Sequence, residues 1–379
     1  MEILGLNMVQ CKITLHPMST HTMLMITVTP EQKAQFRNDP DHYLKFRTII
    51  ERDANSVHGL TLKDSSLQQL AKDNFTELMQ QRLAKKPHVF KSLLPQFGVG
   101  CRRLTPGPGY LEALAEDNVD YIDTPITEAR SNSIILESGE EKMLDVLVCA
   151  TGKAHNTFPF EDVLTRSGFQ ASAPPPFTVT GRDGQTMKEK FEPYPETYLS
   201  LATDGFPNYF MMLGPNAAIG TGTLTTMMEM TGDYIVKCIR KLQKENIKSM
   251  EPQARRVKDF SKVIEHYFKK TVYLGNCSSW YRSNGGRGDR ITGLWPGSAL
   301  HAMECLRSVR WEDFDYHYEE EDDEGECNRL GWLGNGWSVV QTDPESGEIA
   351  HFLQPGLVDI PAEPLPEDTV MYKQRPFSY

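Results

Sequence analysis

The sequence has no excess of positive charge. Its 379 residues carry 51 acidic and 40 basic side chains, a formal net charge of -11, which excludes a backbone-driven nucleic-acid binder and a protein held on anionic lipid. It has no apolar run near the ~20 residues of a spanning helix, so no membrane partner is expected. The start, Met1 to Met18, lacks a basic region and a small-residue cleavage site and is not expected to be a signal peptide. There is no C-x-x-C pair either. The seven cysteines, at positions 11, 101, 149, 238, 277, 305 and 327, are scattered, which leads us to expect reduced thiols in the cytoplasm, not a disulfide framework or a zinc site. Several catalytic signatures are missing as well. His301-Ala-Met-Glu304 is not H-E-x-x-H, Gly297-Ser-Ala299 lacks the G-x-S-x-G elbow, and no P-loop occurs. G-x-G-x-x-G is absent too: Gly98-Val-Gly100 has neither third glycine nor following helix, and Gly107-Pro-Gly109 puts proline where a backbone N–H is wanted.

What remains is the profile of a globular α/β chain of one or two domains, 39% hydrophobic and 24% charged. Its most informative stretch is Tyr198 to Glu229. Asn208–Leu213, apolar and aromatic between Gly/Pro/Asn boundaries, predicts a buried strand. Gly220 and Gly222 follow, with Thr221 or Thr223 placed to cap a helix. Leu224, Met227, Met228, Thr231, Tyr234, Ile235, Cys238 and Leu242 then recur at helical spacing toward a basic end at Lys241–Lys248. Such a turn brings backbone close to a flat or phosphorylated ligand, with the positive end of a helix aimed at it; an ordinary strand-to-helix turn has the same appearance.

Upstream, residues 1–28 have no clear periodicity. Thr29-Pro30-Glu31-Gln32 is a capping box, Asp39-Pro40 repeats the start signal, and Leu67, Leu70, Phe75, Leu78 and Leu83 predict a further amphipathic helix. Strands are predicted over Gln96–Leu104, Val119–Ile122, Ile134–Leu136 and Leu144–Ala150, the last apolar on both faces like a central parallel strand. A helix is expected to carry Val257, Phe260, Ile264 and Phe268. Gly275–Gly297 is glycine-rich and aromatic, Glu319–Glu326 is an acidic loop, and the tail after Gln354 is proline-rich.

Seven segments occur together in one order: FGVGCRRLTPGPGYLEALAEDNV, LVCATG, GFPNYFMMLGPN, CSSWY, LWPGS, RWEDFDY and LGNGWS. In that order they resemble the class B flavoprotein monooxygenases, specifically the fungal Baeyer-Villiger monooxygenases, from roughly residue 30 onward. The resemblance implies a two-nucleotide α/β flavoprotein fold, here partial and with helical insertions. It implies FAD reduced by NADPH, oxygen adding to the flavin, and a small-molecule ketone, polyketide or terpenoid, converted to an ester or lactone in secondary metabolism. Arg103 matches the arginine that stabilises the peroxyflavin anion, and Arg102 its basic neighbour near the NADP phosphate. Trp280 matches the tryptophan that packs at NADP. Thr151 and Gly152 match the crossing between the nucleotide domains. Gly214, Pro215, Asn216, Thr223 and Leu224 match the turn and helix start under the flavin pyrimidine.

On this basis residues 1–28 are an unmatched leader, 29–140 a partial NADP-domain-like segment with a helical insertion, 141–354 the C-terminal half of an FAD-domain-like segment, and 355–379 a tail. The chain departs from the family in lacking both glycine-rich nucleotide loops and in having Lys153-Ala154 after Thr151-Gly152. It therefore reads as the last two thirds of such an enzyme, possible as a homo-oligomer or beside a partner chain. Two other functions stay open: a diverted relative doing non-redox cyclisation or isomerisation, and a non-catalytic binding protein. The Gly- and Asn-rich surroundings of Trp280 predict a loop that orders on nucleotide binding.

Overall fold

The computed structural model describes residues 2–4, 28–102, 109–148, 175, 177–277, 279–286, 288–319 and 329–337. It divides into two compact units, Met1–Glu320 and Glu321–Tyr379. In the second, the described residues form a 3-10 turn, Gly331–Leu333, with Trp332 and Trp337 exposed.

The first unit begins with β1 (Glu2–Leu4), which the aperiodic leader gave no reason to expect. Helices α1 (Pro30–Asn38), α2 (Pro40–Ser56), α3 (Ser66–Arg82), α4 (Pro87–Leu93) and α5 (Tyr110–Leu114) follow. The capping box forms as the sequence requires, Gln32 N–H donating to Thr29 Oγ1 and Thr29 N–H to Gln32 Oε1 at 2.9 Å. Asp39 caps α2 by accepting from His42 N–H. The helices α3 to α5 share a core of Phe75, Met79, Leu83, Val89, Leu93, Leu111 and Leu114. Buried Gln68 on α3 fixes the next segment by exchanging hydrogen bonds with Val99, 2.9 Å to its carbonyl and 2.8 Å from its N–H.

The strands are short. β2 (Asp120–Ile122) pairs with β1 in parallel; β3 (Ile126–Ala129), β4 (Ser133–Leu136) and β5 (Glu141–Met143) form an antiparallel meander. Beyond α6 (Met187–Lys190), α7 (Leu224–Lys244), β6 (Ile247–Pro252), α8 (Ala254–Phe268), α9 (Ser283–Gly286), α10 (Ala299–Arg307) and β7 (Phe314–Tyr318) build the second half, with β6 and β7 antiparallel. Its core joins α7, α8 and α10 through Met227, Tyr234, Cys238, Val257, Ile264, Phe268, Ala302 and Leu306, with Trp295 among them. At roughly 1.5–3 kcal/mol for each large apolar side chain removed from water, this cluster is the main source of stability in the half that carries the glycine turns.

Three predicted strands are corrected. Residues 96–102 are turns and bends: Gly100 is left-handed, φ 85°, and a Cβ on Gly98 would meet Val272 Cγ1 at 2.6 Å. Asn208–Leu213 forms no ladder; left-handed Asn208 makes a local clasp with Met250, donating its N–H at 2.9 Å and accepting at Oδ1 at 3.0 Å. Leu144–Val148 is not a strand either, since pairing stops at Met143, and Val146 and Val148 stand 75% and 80% exposed. The expectation of reduced thiols fails at one pair, because Cys101 and Cys277 are joined as a disulfide, while Cys238 and Cys305 are free.

Candidate functional site

The turn from Gly214 to Thr223 is bound tightly into the second core. Leu199 and Ser200 are both left-handed, φ 47° and 64°, which sets the Ser200 carbonyl against Gly214 where a Cβ would overlap it. Pro215 and Asn216 are buried. Asn216 is itself left-handed, φ 62°, a conformation asparagine tolerates better than most residues. Its N–H donates to Thr292 O at 2.7 Å, and its Nδ2 donates to Ile291 O and Leu294 O, each at 2.9 Å. Ala218 and Leu294 then form a parallel bridge, with Trp295 N–H donating to Ala218 O at 2.7 Å. The turn is thereby pinned along residues 291–295.

Helix α7 starts at Leu224, which packs on the core, with Thr223 as its N-cap residue. Thr223 makes no capping bond. Its hydroxyl donates to the Glu51 carboxylate on α2, 3.0 Å to Oε2, so the uncapped N-terminus of α7 has an anionic group beside it. Asn55, one turn further along α2, reaches Gly222, where a Cβ would lie 3.0 Å from Asn55 Oδ1 and 2.5 Å from Ala299 Cβ; Gly222 also has φ 99°. Gly220 has Tyr273 Oη lying against it. Thr221 Oγ1 and Asn55 Oδ1 are buried without a hydrogen-bond partner.

A histidine pair flanks this turn. His58 Nε2 lies 3.3 Å from Tyr267 Oη, and His301 Nδ1 accepts from Trp295 Nε1 at 3.1 Å. Burial depresses both imidazoles, and each His58 proton is further disfavoured by His301. Cys305 lies 3.5 Å from His301 Nε2, but burial pushes its thiol up. With Nδ1 accepting, neutral His301 carries its proton on Nε2 and donates toward sulfur, so the pair is not an activated nucleophile.

Trp280 is 41% exposed and tilts against buried Tyr281, ring centroids 4.5 Å apart. A Cβ on Gly293 would meet Trp280 Cζ3 at 3.3 Å, which places Trp280 on the 291–295 segment that also holds Asn216. The loop around it is pinned: Arg282 donates to Gly275 O, Cys277 O and Gly288 O at 2.9, 3.2 and 2.6 Å. Arg102 sits over the Phe97 ring at 5.8 Å, and Phe97 packs on Cys101, Val272 and Cys277. Arg102, Trp280 and the Gly214–Leu224 turn are thus tied into one scaffold. Arg103, Thr151 and Gly152 lie outside the described residues. A groove of about 190 Å³ lined by Tyr194, Glu265, Phe268, Lys269 and Arg290 touches none of these predicted positions.

Glu51, Asn55, His58, Tyr273 and His301 were not legible as site residues. Their relation to the glycines is tertiary, and only the four-residue spacing of Glu51 and Asn55 marks a shared helix face.

For a flavin's pyrimidine end the described residues offer the unpartnered polar atoms of Thr221 and Asn55, while Glu51 on Thr223 offsets the positive end of α7. No glycine-rich pyrophosphate cradle is found among the described residues.

No protein-family model matches the chain. It is 32% identical over 326 residues to the FAD-binding monooxygenase tazF of Aspergillus terreus, covering 86% of this chain and 54% of that protein. It is 31% identical over 309 residues to the FAD-binding monooxygenase stcW of Emericella nidulans, covering 82% of this chain and 47% of that one. Among solved structures, a cyclohexanone monooxygenase from Rhodococcus sp. Phi1 bound to NADP+ superposes with TM-score 0.60 at 19% identity, covering 77% of this chain and 59% of that one. An oxidized steroid monooxygenase bound to NADP gives TM-score 0.56 at 24% identity, covering 68% and 47%.

Proposed function

We propose a function for a chain that belongs to the FAD-binding monooxygenases and spans about half the length of the curated relatives it matches: it provides the NADP subsite and the flavin-pyrimidine side of a Baeyer-Villiger oxygenase. The substrate class is a small-molecule ketone of polyketide or terpenoid type, in fungal secondary metabolism. The carrying observation is that Arg102, Trp280 and the Gly214–Leu224 turn, far apart in sequence, sit on one scaffold joined through Cys101–Cys277 and residues 291–295.

Bound FAD would supply the redox chemistry, hydride acceptance from NADPH and activation of O2 for insertion beside a ketone carbonyl. The chain's residues take the following parts. The Arg102 guanidinium attracts the NADP 2′-phosphate, and the exposed indole of Trp280 packs on that nucleotide. Gly214, Pro215 and Asn216 fix the approach of the chain to the flavin pyrimidine, and Thr223 and Leu224 begin α7 there, its positive end partly offset by the Glu51 carboxylate that Thr223 holds. By the family resemblance, Arg103 is assigned to hold negative charge at the reacting oxygen.

Nucleotide selectivity tests the reading. Arg102→Ala is expected to weaken NADPH binding, read by tryptophan fluorescence, about 10- to 100-fold, the equivalent of one charge-assisted contact, while NADH binding changes little. Unchanged NADPH affinity would remove Arg102 from the subsite. In any preparation that turns over, Arg103→Ala is expected to abolish oxygen insertion and leave hydride transfer intact; near wild-type ketone oxidation would refute that role.

A further inference from the structure

We propose that the Cys101–Cys277 bridge is a reversible thiol–disulfide lock that holds the Arg102 segment against the Trp280 loop. The nucleotide part of the inference rests on the NADP reading above; the lock itself rests on geometry. The bridge joins residues 176 apart, with Cα atoms 6.7 Å from each other, and both cysteines pack with Val272 in one buried cluster. Arg102 directly follows one sulfur-bearing residue and leans on Phe97, a member of the same cluster. Trp280 is three residues beyond the other, and the Cys277 carbonyl is one of the three that Arg282 gathers. The two positions proposed for NADP therefore have their relative spacing set by a covalent bond that a thiol can open.

Access differs at the two sulfurs. Both residues are buried, Cys101 at 0% and Cys277 at 6% exposure, so an incoming thiolate needs a local opening of the 275–286 loop and then meets Cys277, the less enclosed of the two. Attack by one thiolate of a dithiol forms a mixed disulfide at Cys277 and expels Cys101 as a thiolate, which takes up a proton. The second thiol of the reductant then displaces Cys277 and leaves as its own cyclic disulfide. Closure is the reverse electron flow: a peroxide takes two electrons from the two thiols, the S–S bond forms, and H2O2 with the two thiol protons becomes two waters. A bridge of this kind in a reducing compartment follows the thiol pool and is not a permanent staple. Opening releases the 275–286 loop from the 97–102 segment and leaves Arg282 and the 291–295 contacts to hold it.

The test uses the full chain, oxidised with hydrogen peroxide or reduced with dithiothreitol and then freed of reagent. Peptide mapping is expected to find the Cys101–Cys277 linked pair only in the oxidised sample. Hydrogen exchange over residues 275–286 is expected to rise on reduction, and 2′,5′-ADP, the phosphate-bearing end of NADP, is expected to bind at least tenfold more weakly by calorimetry. Cys277→Ser should match the reduced form and ignore dithiothreitol. Absence of the linked pair after oxidation, or equal exchange and equal affinity in both forms, overturns the proposal. A change in exchange with 2′,5′-ADP bound by neither form supports the lock and removes the NADP assignment instead.

Discussion

At the scale of single residues, Asn216 and the two tryptophans separate architecture from exposed surface. Asn216 combines a left-handed backbone with three hydrogen bonds to residues 291–294. Asn216→Ala adds strain and leaves buried carbonyls without their amide donor, so we expect a loss of about 1–3 kcal/mol in urea unfolding. Asn216→Gly relieves the strain but not the lost bonds and should fall between. Trp295, 1% exposed, and Trp280, 41% exposed, should likewise part company. Trp295→Ala is expected to cost about 3–5 kcal/mol by leaving a cavity. Trp280→Ala should leave the melting temperature nearly unchanged while raising the dissociation constant for NADPH; a steep fall in melting temperature with unaltered NADPH affinity would make Trp280 core. The histidines give a pH signature. Burial lowers both His58 and His301 below the unfolded value near 6.5, so the unfolded chain binds more protons as the pH falls past that value. Their contribution to stability is complete above about pH 6.5 and declines below it until the lowered folded values are reached. The variant His301→Gln should flatten that decline; an unchanged slope would place the proton uptake elsewhere.

At the scale of elements, helix signals contained within a segment held, whereas strand signals, which need a neighbour, held for Val119–Ile122 and Ile134–Leu136 and failed for the three other predicted strands. The capping box at Thr29, the stripe Met227–Thr231–Tyr234–Cys238 on α7 and the face Val257–Phe260–Ile264–Phe268 on α8 are properties of one helix and were readable directly. Strand identity depends on what lies alongside. The two-faced apolarity of Leu144–Val148 is real, yet without a paired strand it stands as exposed coil. The candidate site was half legible for the same reason: Gly214, Asn216 and Thr223 are marked by turn chemistry, whereas Glu51 meets Thr223 across 172 residues. A measurable consequence attaches to the exposed run. Val146→Lys with Val148→Lys should change folding stability by no more than about 0.5 kcal/mol per site, since neither side chain is buried, and should lower light scattering on concentration. A large loss of stability would mean that these valines are covered in solution.

At the scale of the whole molecule, retention of FAD is the sharpest question, and its expected answer runs against independent catalysis. A dinucleotide pyrophosphate is held chiefly by backbone N–H groups of a glycine-rich turn and the positive end of the helix that follows. No G-x-G-x-x-G occurs in the 379 residues, and the helix terminus that is present, that of α7, has Glu51 beside it, a carboxylate that disfavours a second anion. Each missing charge-assisted hydrogen bond is worth roughly 1.5–3 kcal/mol, so the loss of several lowers affinity by many orders of magnitude. The 379-residue chain purified alone is therefore expected to be colourless and to show no NADPH oxidation, while still binding 2′,5′-ADP through Arg102 and Trp280. Glu51→Gln should improve its weak affinity for added FAD by removing the competing charge, without making the protein yellow on purification. Stoichiometric flavin absorbance in the unaltered chain would overturn this expectation, because a cradle would then have to come from residues other than those described, the segment 5–27 following β1 being the first to examine.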